Sequence, residues 1–166
     1  MNYFELFAIP IQLQVDSQAL RSTFMQLSRR YHPDFFTNET PEAQEEALEK
    51  SALVNKAWKV FQHREETIAY VLQLKGLLAD NEKYQLDPVF LMEMMEINEA
   101  ISEQDEEQQS TLKDRLQALE AQIYAPVGDI IAQYQDGQTS EADLLKVKEY
   151  YFQKKYLERI RGSLFS

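Results

Sequence analysis

The sequence predicts an all-α protein with two helical domains: an N-terminal helical hairpin with short helices, followed by a C-terminal antiparallel three-helix bundle. Apolar residues recur three and four positions apart through most of the chain, which is the spacing of one helix face. Only four Gly and five Pro occur in 166 residues, so few positions interrupt this pattern. Hydrophobic residues make up 44% of the chain, which supplies enough apolar side chains for a core.

The composition excludes several kinds of site. The chain has no Cys, which removes disulfides, thiolate metal ligands, cysteine nucleophiles and a cluster held by its own thiolates. No apolar stretch approaches the roughly 20 residues of a membrane span, and no secretory signal is recognisable. The net charge of −11 disfavours nucleic acid, whose phosphates need clustered Lys and Arg. We expect a cytoplasmic protein without membrane, nucleic acid, metal or cofactor, which binds other proteins or performs acid–base chemistry.

A short apolar turn, ended by Pro10, opens the first half and precedes a long helix. Asp16 is the predicted N-cap of this helix. Its buried face is predicted from residues at helical spacing: Leu20, Phe24, Leu27 and Tyr31. Its solvated face carries three arginines: Arg21, Arg29 and Arg30. A loop over residues 33–40 follows, because Pro33 disfavours helical geometry at the residue before it.

A second long helix begins with Thr40 as N-cap and Pro41 at the first helical position. Its predicted buried face consists of Ala47, Ser51, Val54, Trp58 and Phe61. A third apolar pattern consists of Ile68, Val71, Leu72 and Lys75. It closes at Gly76, since Gly adopts the left-handed conformation that commonly follows a helix. The two long helices are predicted to form an antiparallel hairpin.

A domain boundary is predicted in residues 77–87, where the helical pattern fades. The charge also changes there, from −2 over residues 1–76 to −9 over residues 77–166. We therefore expect a first domain at 1–76, a linker or hinge at 77–87 and a bundle at 88–166.

The strongest motif lies between the two long helices of the first half. His32, Pro33 and Asp34 follow the basic outer side of an amphipathic helix and open a polar loop. Taken singly, His32 suits the carbonyl end of a helix and Asp34 suits a turn. The tripeptide in this helix–loop–helix context is much more specific than either residue alone.

Residues 1–76 resemble a J-domain, the module that docks on heat-shock chaperone ATPases of the seventy-kilodalton class. The matching stretches are Tyr3-Phe4-Glu5-Leu6-Phe7, Leu27-Ser28-Arg29-Arg30-Tyr31-His32-Pro33-Asp34 and Asn55-Lys56-Ala57-Trp58. The resemblance implies that His32, Pro33 and Asp34 trigger ATP hydrolysis in the partner and that Arg29 and Arg30 supply the positive surface. The family often has Lys after the tripeptide, where this chain has Phe35.

An enzymatic interpretation of His32 and Asp34 is disfavoured. With His63 as the other histidine, a zinc site would need carboxylates for most of its ligands. A Ser-His-Asp arrangement would need Ser28 or Ser51 within hydrogen-bond reach. Neither a nucleophile elbow nor a phosphate loop is recognisable.

The second half opens with Asp87 and Pro88, a helix start, and a predicted core-facing stripe of Phe90, Met94, Ile97 and Ile101. The same helix has a second face, defined by Leu91, Met92, Met95, Glu96, Glu99 and Glu103. Residues 87–107 contain eight carboxylates and no Lys or Arg. The second face is either an ordinary solvated surface or a partner site with apolar anchors and an acidic rim. Coverage of Leu91 and Met95 by another helix would also explain them.

Two further helices complete the predicted bundle. One begins near Ser110 with an apolar stripe: Leu112, Leu116, Leu119, Ile123, Val127, Ile130 and Tyr134. Pro126 and Gly128 are predicted to kink it rather than break it, because the spacing continues. The last helix runs from a cap at Thr139 or Ser140 to about Arg161, with Gly162 beyond. Its apolar residues are assigned mostly to the core: Val147, Tyr151, Phe152, Tyr156 and Ile160. At least one ring of Tyr150, Tyr151 and Phe152 is expected to be exposed.

A J-domain followed by an acidic helical bundle is similar throughout to the HscB-type co-chaperones of iron–sulfur cluster assembly. Leu91-Met92-Glu93 with Glu96, Glu99 and Glu103 resembles the stretch by which that family holds its cluster scaffold protein, and Phe152 resembles an aromatic that joins this surface. The family can have Leu where this chain has Met95. The resemblance implies two partners, a chaperone ATPase of the HscA type and a scaffold of the IscU type, and a bacterial form without catalysis of its own.

Two other functions compete with this expectation. The chain could be a helical adaptor whose J-like hairpin is only structural. More remotely, it could be a carboxylate enzyme that uses a metal held by Glu96, Glu99 and Glu103.

Overall fold

The computed structural model describes residues 1–103 and 106–165, with the side chains of residues 106, 107 and 165 excepted. Within this part of the chain all regular structure is helical, which confirms the predicted all-α fold. The helices are α1 (Tyr3–Leu6), α2 (Arg21–Arg30), a 3₁₀ helix (Pro33–Phe36), α3 (Pro41–Phe61), α4 (Arg64–Leu74), α5 (Pro88–Glu103), α6 (Glu106–Tyr124), α7 (Gly128–Gln133) and α8 (Glu141–Phe165).

The chain divides into two compact units. The first unit is Met1–Val71 with Tyr134–Asp136, and the second unit is Leu72–Gln133 with Gly137–Ser166. The domain limits predicted from the sequence, at residues 76 and 88, stay a prediction.

Aromatic side chains from α1, α3 and α4 form the core of the first unit. The Phe61 ring lies 5.2 Å from the rings of both Phe4 and Phe7. The Tyr3 ring stacks on Tyr70 at 4.2 Å, and the Tyr70 hydroxyl accepts the Tyr3 backbone N–H at 3.0 Å. Contacts of this kind fix α1 on the unit more firmly than area burial alone would.

Helix α2 begins later than predicted. Leu20, in helical backbone geometry and without a side-chain cap, is the residue before its first turn. The Asp16 carboxylate instead accepts the backbone N–H groups of Gln18 and Ala19, at 3.1 and 3.3 Å. Asp16 therefore caps a separate turn over residues 17–20, and its assignment as the N-cap of α2 is wrong.

Helix α3 begins as predicted, because the Thr40 hydroxyl accepts the Ala43 N–H at 3.2 Å and Pro41 is the first helical residue. Its buried residues are Ala47, Val54, Ala57 and Phe61, whereas Ser51 and Trp58 are half-buried. Trp58 stacks on Phe24 of α2 at 4.6 Å, which joins the two helices of the hairpin. Gly76, just beyond the end of α4, has φ +72°, which is the left-handed conformation predicted for it.

The core of the second unit lies among α5, α6 and α8. Phe90, Met94 and Ile97 of the predicted α5 stripe are buried, and Ile101 is half-buried. Helices α6 and α8 contribute further buried residues: Leu112, Leu116, Leu119, Ile123, Leu144, Val147, Tyr150, Leu157, Ile160 and Leu164. The Asp87 carboxylate accepts the Val89 N–H at 3.1 Å, in agreement with the predicted start of α5.

The predicted kink at Pro126 is instead a break between α6 and α7. Pro126 has no N–H to continue the helical ladder, and the Val127 N–H bonds to the carbonyl of Tyr124 in a tighter turn. The turn also changes the register, so that Ile131 is buried while Ile130, predicted for the core, is half-buried. A Cβ on Gly128 would lie 3.1 Å from the Tyr124 ring, so a larger residue there would require this ring to shift.

Helix α8 departs from the prediction in two respects. It continues through Gly162 to Phe165, because Leu164 is buried and draws the last turn onto the core. The expectation that one of the three consecutive aromatic rings is exposed is also wrong. Tyr150 is buried, and Tyr151 and Phe152 are half-buried because residues before α5 pack over this part of α8.

Candidate functional site

The His32-Pro33-Asp34 tripeptide forms the start of the 3₁₀ helix. His32 is its N-cap, and the imidazole Nδ1 accepts the Asp34 backbone N–H at 3.2 Å. Because Nδ1 is used as an acceptor, the proton of the neutral ring lies on Nε2, which is left to donate outward. The side chains of His32 and Asp34 are 54% and 85% exposed, with Nδ1 and the carboxylate 3.6 Å apart. The tripeptide is therefore a capped turn whose His32 and Asp34 side chains face solvent.

Cations surround this turn. Arg29 and Arg30 are exposed in the last turn of α2, and the Arg30 guanidinium lies 5.4 Å from the centre of the Tyr31 ring. Lys50 of α3 approaches the same ring at 5.3 Å. Position 35, where the J-domain family often has Lys, presents an apolar ring instead, since Phe35 is 66% exposed. The surface beside the tripeptide is therefore positive with one exposed aromatic.

Helix α5 has two faces, as its periodicity predicts. Met92 and Met95 are 64% and 58% exposed, whereas Met94 is fully buried. Leu91 lies at the margin and is half-buried. Because Met92 and Met95 are largely exposed, coverage by another helix does not explain these two methionines.

The three glutamates of the second face are exposed but have different surroundings. Glu96 lies 3.5 Å from the guanidinium of Arg115 on α6, and this arginine also lies 3.9 Å from Glu93. Among the residues that the structure describes, no cation lies within 4 Å of the carboxylates of Glu99 or Glu103. The side chains of residues 104–107, which the sequence analysis counted in the acidic run, lie outside the described part. The unneutralised charge of the second face is therefore carried by Glu99 and Glu103.

Phe152 lies on α8, the neighbour of α5 in the second unit. One turn further along α8, the Tyr156 ring meets Phe90 edge to face at 6.4 Å, which brings this side of α8 against the start of α5. The Tyr84 ring is stacked on Phe152 at 4.6 Å with an interplanar angle of 2°. Burial raises the pKa of the Tyr84 hydroxyl to about 12, with a further contribution from the Glu149 carboxylate that accepts a hydrogen bond from it.

The comparisons with known proteins agree with this arrangement. Residues 86–164 match the family model described as the HSCB C-terminal oligomerisation domain. The solved structure of the human co-chaperone protein HscB is 26% identical with a TM-score of 0.79, and the match covers 99% of this chain and 80% of that one. The chaperone HscB from Vibrio cholerae is 28% identical with a TM-score of 0.66, over 99% of this chain and 95% of that one. Residues 86–164 therefore form an HscB-type C-terminal domain, and the chain has the fold of the HscB co-chaperones.

Three residues of this candidate surface were not predicted from the sequence. Val89 is 71% exposed and continues the apolar part of the second face by one turn, which a helical wheel begun at Pro88 would have shown. Arg115 and Tyr84 meet the predicted site from 19 and 68 residues away in the chain, and no local pattern indicates such contacts.

The structure offers no support for the metal-enzyme alternative. Within the described residues, no group of three or more His, Cys, Asp or Glu side chains is placed to hold a metal ion. Glu96 of the suggested triad is paired with Arg115 instead. The described part of the chain also has no helix long and apolar enough to cross a membrane.

Proposed function

We propose that this HscB-type chain is a non-catalytic cytoplasmic co-chaperone of iron–sulfur cluster assembly. It binds a cluster scaffold protein of the IscU type through the second face of α5 and Phe152. It stimulates ATP hydrolysis by an HscA-type chaperone through His32, Pro33 and Asp34, with Arg29 and Arg30 as the positive contact surface.

The observation that carries the proposal is the exposure of Met92 and Met95 on a helix whose other face is buried. Large apolar side chains on adjacent turns, rimmed by carboxylates, are suited to a partner with an apolar patch and basic surroundings. The exposed tripeptide supports the second contact, since its polar groups are fixed in a turn and point away from the core.

A second copy of the chain is the rival occupant of the second face. The description of the matched family model as an oligomerisation domain favours this alternative. Self-association would bury the same methionines, so scaffold and second copy would compete for one surface.

The test combines steady-state ATP turnover by the chaperone with sedimentation of the chain alone and with scaffold. The proposal predicts faster turnover when the chain is added and a one-to-one complex with the scaffold. Turnover unchanged by the chain would contradict the first contact. If the chain self-associates at higher concentration and scaffold binding is lost as it does so, the second face is assigned to a second copy.

A further inference from the structure

The segment that precedes α5 is anchored to α8 next to Phe152. The Glu82 carboxylate lies 2.6 Å from the Lys148 ammonium and also accepts the Ala79 backbone N–H at 3.2 Å. The Tyr84 hydroxyl donates to Glu149, and Lys148 lies 5.5 Å from the centre of the Tyr84 ring. These contacts anchor the segment on two successive α8 residues, and the Tyr84 ring lies parallel to the Phe152 ring with an interplanar angle of 2°.

The stack restricts what Phe152 can present to a partner. Tyr84 covers one face of the ring, and Tyr151 meets it edge to face at 5.1 Å. The ring is half-buried in this arrangement, so the rest of it remains accessible. A side chain held in one orientation before binding does not lose rotamer freedom when the partner arrives, and this raises affinity without a new contact.

We propose that Tyr84 is a positioning residue of the scaffold-docking surface, which holds the Phe152 ring in the orientation that the partner contacts. The inference rests on the proposed function, because it requires that Phe152 takes part in scaffold binding. Tyr84 acts through Phe152, so its contribution to affinity disappears when the Phe152 ring is removed.

A purely structural role for Tyr84, as one anchor of the segment before α5, makes a different prediction. In that case removal of any anchor would weaken binding similarly, and the effect would not depend on Phe152. Glu82→Gln is the matched control, because it removes the ion pair with Lys148 from the same segment and leaves both rings in place.

The experiment measures scaffold binding by calorimetry on variants of the full chain. The single variants are Tyr84→Ala, Tyr84→Leu, Tyr84→Phe, Glu82→Gln and Phe152→Ala. The double variant combines Tyr84→Ala with Phe152→Ala. Thermal melting of each variant verifies folding, and Tyr84→Leu tests loss of the flat ring if Tyr84→Ala does not fold. We expect Tyr84→Ala and Tyr84→Leu to weaken binding roughly three- to tenfold, the order of one unordered side chain. Tyr84→Phe retains the stack and should bind within about twofold of the wild type, as should Glu82→Gln.

The double variant decides between the two roles. The proposal predicts that Tyr84→Ala has no further effect once Phe152 is Ala. Effects that multiply in the double variant would overturn it, as would wild-type binding by Tyr84→Ala or a loss in Glu82→Gln equal to that in Tyr84→Ala. Wild-type binding by Phe152→Ala would instead remove Phe152 from the docking surface and overturn that part of the proposed function.

Discussion

Met94 and Met95 are consecutive in the chain, yet Met94 is fully buried while Met95 is 58% exposed. Two methionines of equal size and hydrophobicity thus lie on different faces of α5, since consecutive helical residues are about 100° apart. Met94 contributes to the core of the second unit, whereas the side chain of Met95 is accessible to a partner.

This difference predicts separate effects on stability and binding. Replacing Met92 and Met95 together by Ala should shift the melting temperature by no more than a few degrees, because both side chains are largely solvated. Adding Leu91→Ala should bring the loss of scaffold affinity to about 2–4 kcal/mol, since few interface residues carry most of the binding energy.

Met94→Ala is the matched control on the same helix. Removing this buried side chain should cost about 2–5 kcal/mol of unfolding free energy through lost packing and a cavity. Calorimetric binding and thermal melting on both variants check the prediction. If the Met92/Met95 variant melts at a much lower temperature but binds the scaffold with unchanged affinity, the second face belongs to the core and the prediction is wrong.

The acidic rim is predicted to act mainly on association rate. Glu99→Gln with Glu103→Gln should slow scaffold association and flatten its dependence on salt, because these carboxylates have no cation nearby among the described residues. Glu96→Gln should have a smaller effect, since Arg115 already offsets its charge at 3.5 Å. Stopped-flow association at several salt concentrations measures both. Equal effects for all three glutamates would show that Arg115 does not screen Glu96.

His32→Gln and Asp34→Asn are each predicted to abolish stimulation of the chaperone ATPase while scaffold binding and helicity are retained. Both side chains are solvent-exposed, so their contribution to the core is small. Glu39→Gln is the control, because it removes an exposed carboxylate from the same loop. ATP turnover at saturating chain concentration is the measurement. Wild-type stimulation by either tripeptide variant would remove that residue from the mechanism.

Acid stability is predicted to depend on the contact between α6 and α8. Hydrogen bonds from Lys154 and Arg161 hold the pKa of Glu120 below its ordinary value of 4.5, although partial burial opposes them. A carboxylate with a lowered folded pKa adds stability above its unfolded pKa and loses it as the pH falls through the folded value. Glu120→Gln should therefore reduce the unfolding free energy by about 1–2 kcal/mol at pH 7, discounted for its partial exposure.

The unfolding free energy of Glu120→Gln should fall less than that of the wild type as the pH falls below about 4.5. Urea unfolding between pH 7 and pH 3 tests this, with Glu158→Gln as a comparison that leaves the Lys154–Glu120 pair intact. Parallel pH profiles for wild type and Glu120→Gln would contradict the assignment.

Helical periodicity was sufficient for most of the fold and for the composition of the second face. It placed Phe90, Met94 and Ile97 inside and Met92 and Met95 outside, because the environment of a helical residue follows its angle around the axis. Local chemistry likewise predicted the caps at Thr40 and Asp87, and Ser140 is one of the two residues predicted to cap α8.

Predictions from periodicity were wrong or incomplete where the backbone departed from a continuous helix and where the contact joined residues distant in the chain. The spacing of Ile123, Val127 and Ile130 continues across Pro126, but the missing N–H broke the helix and moved Ile131 inward. The stack of Tyr84 on Phe152 joins residues from separate elements, so neither local sequence indicates it. The contact explains why Phe152, assigned to the core by default, is half-buried at the edge of the proposed site.

In the proposed function one molecule makes both contacts and so couples scaffold capture to ATP hydrolysis. The most direct test of this coupling is chaperone ATP turnover in the presence of scaffold, with the His32→Gln chain and the Met92→Ala/Met95→Ala chain added separately and as a mixture. Because two tethered contacts act through a high effective concentration, we expect that the mixture does not restore the wild-type turnover. Turnover equal to that of the wild type with the mixture would contradict it.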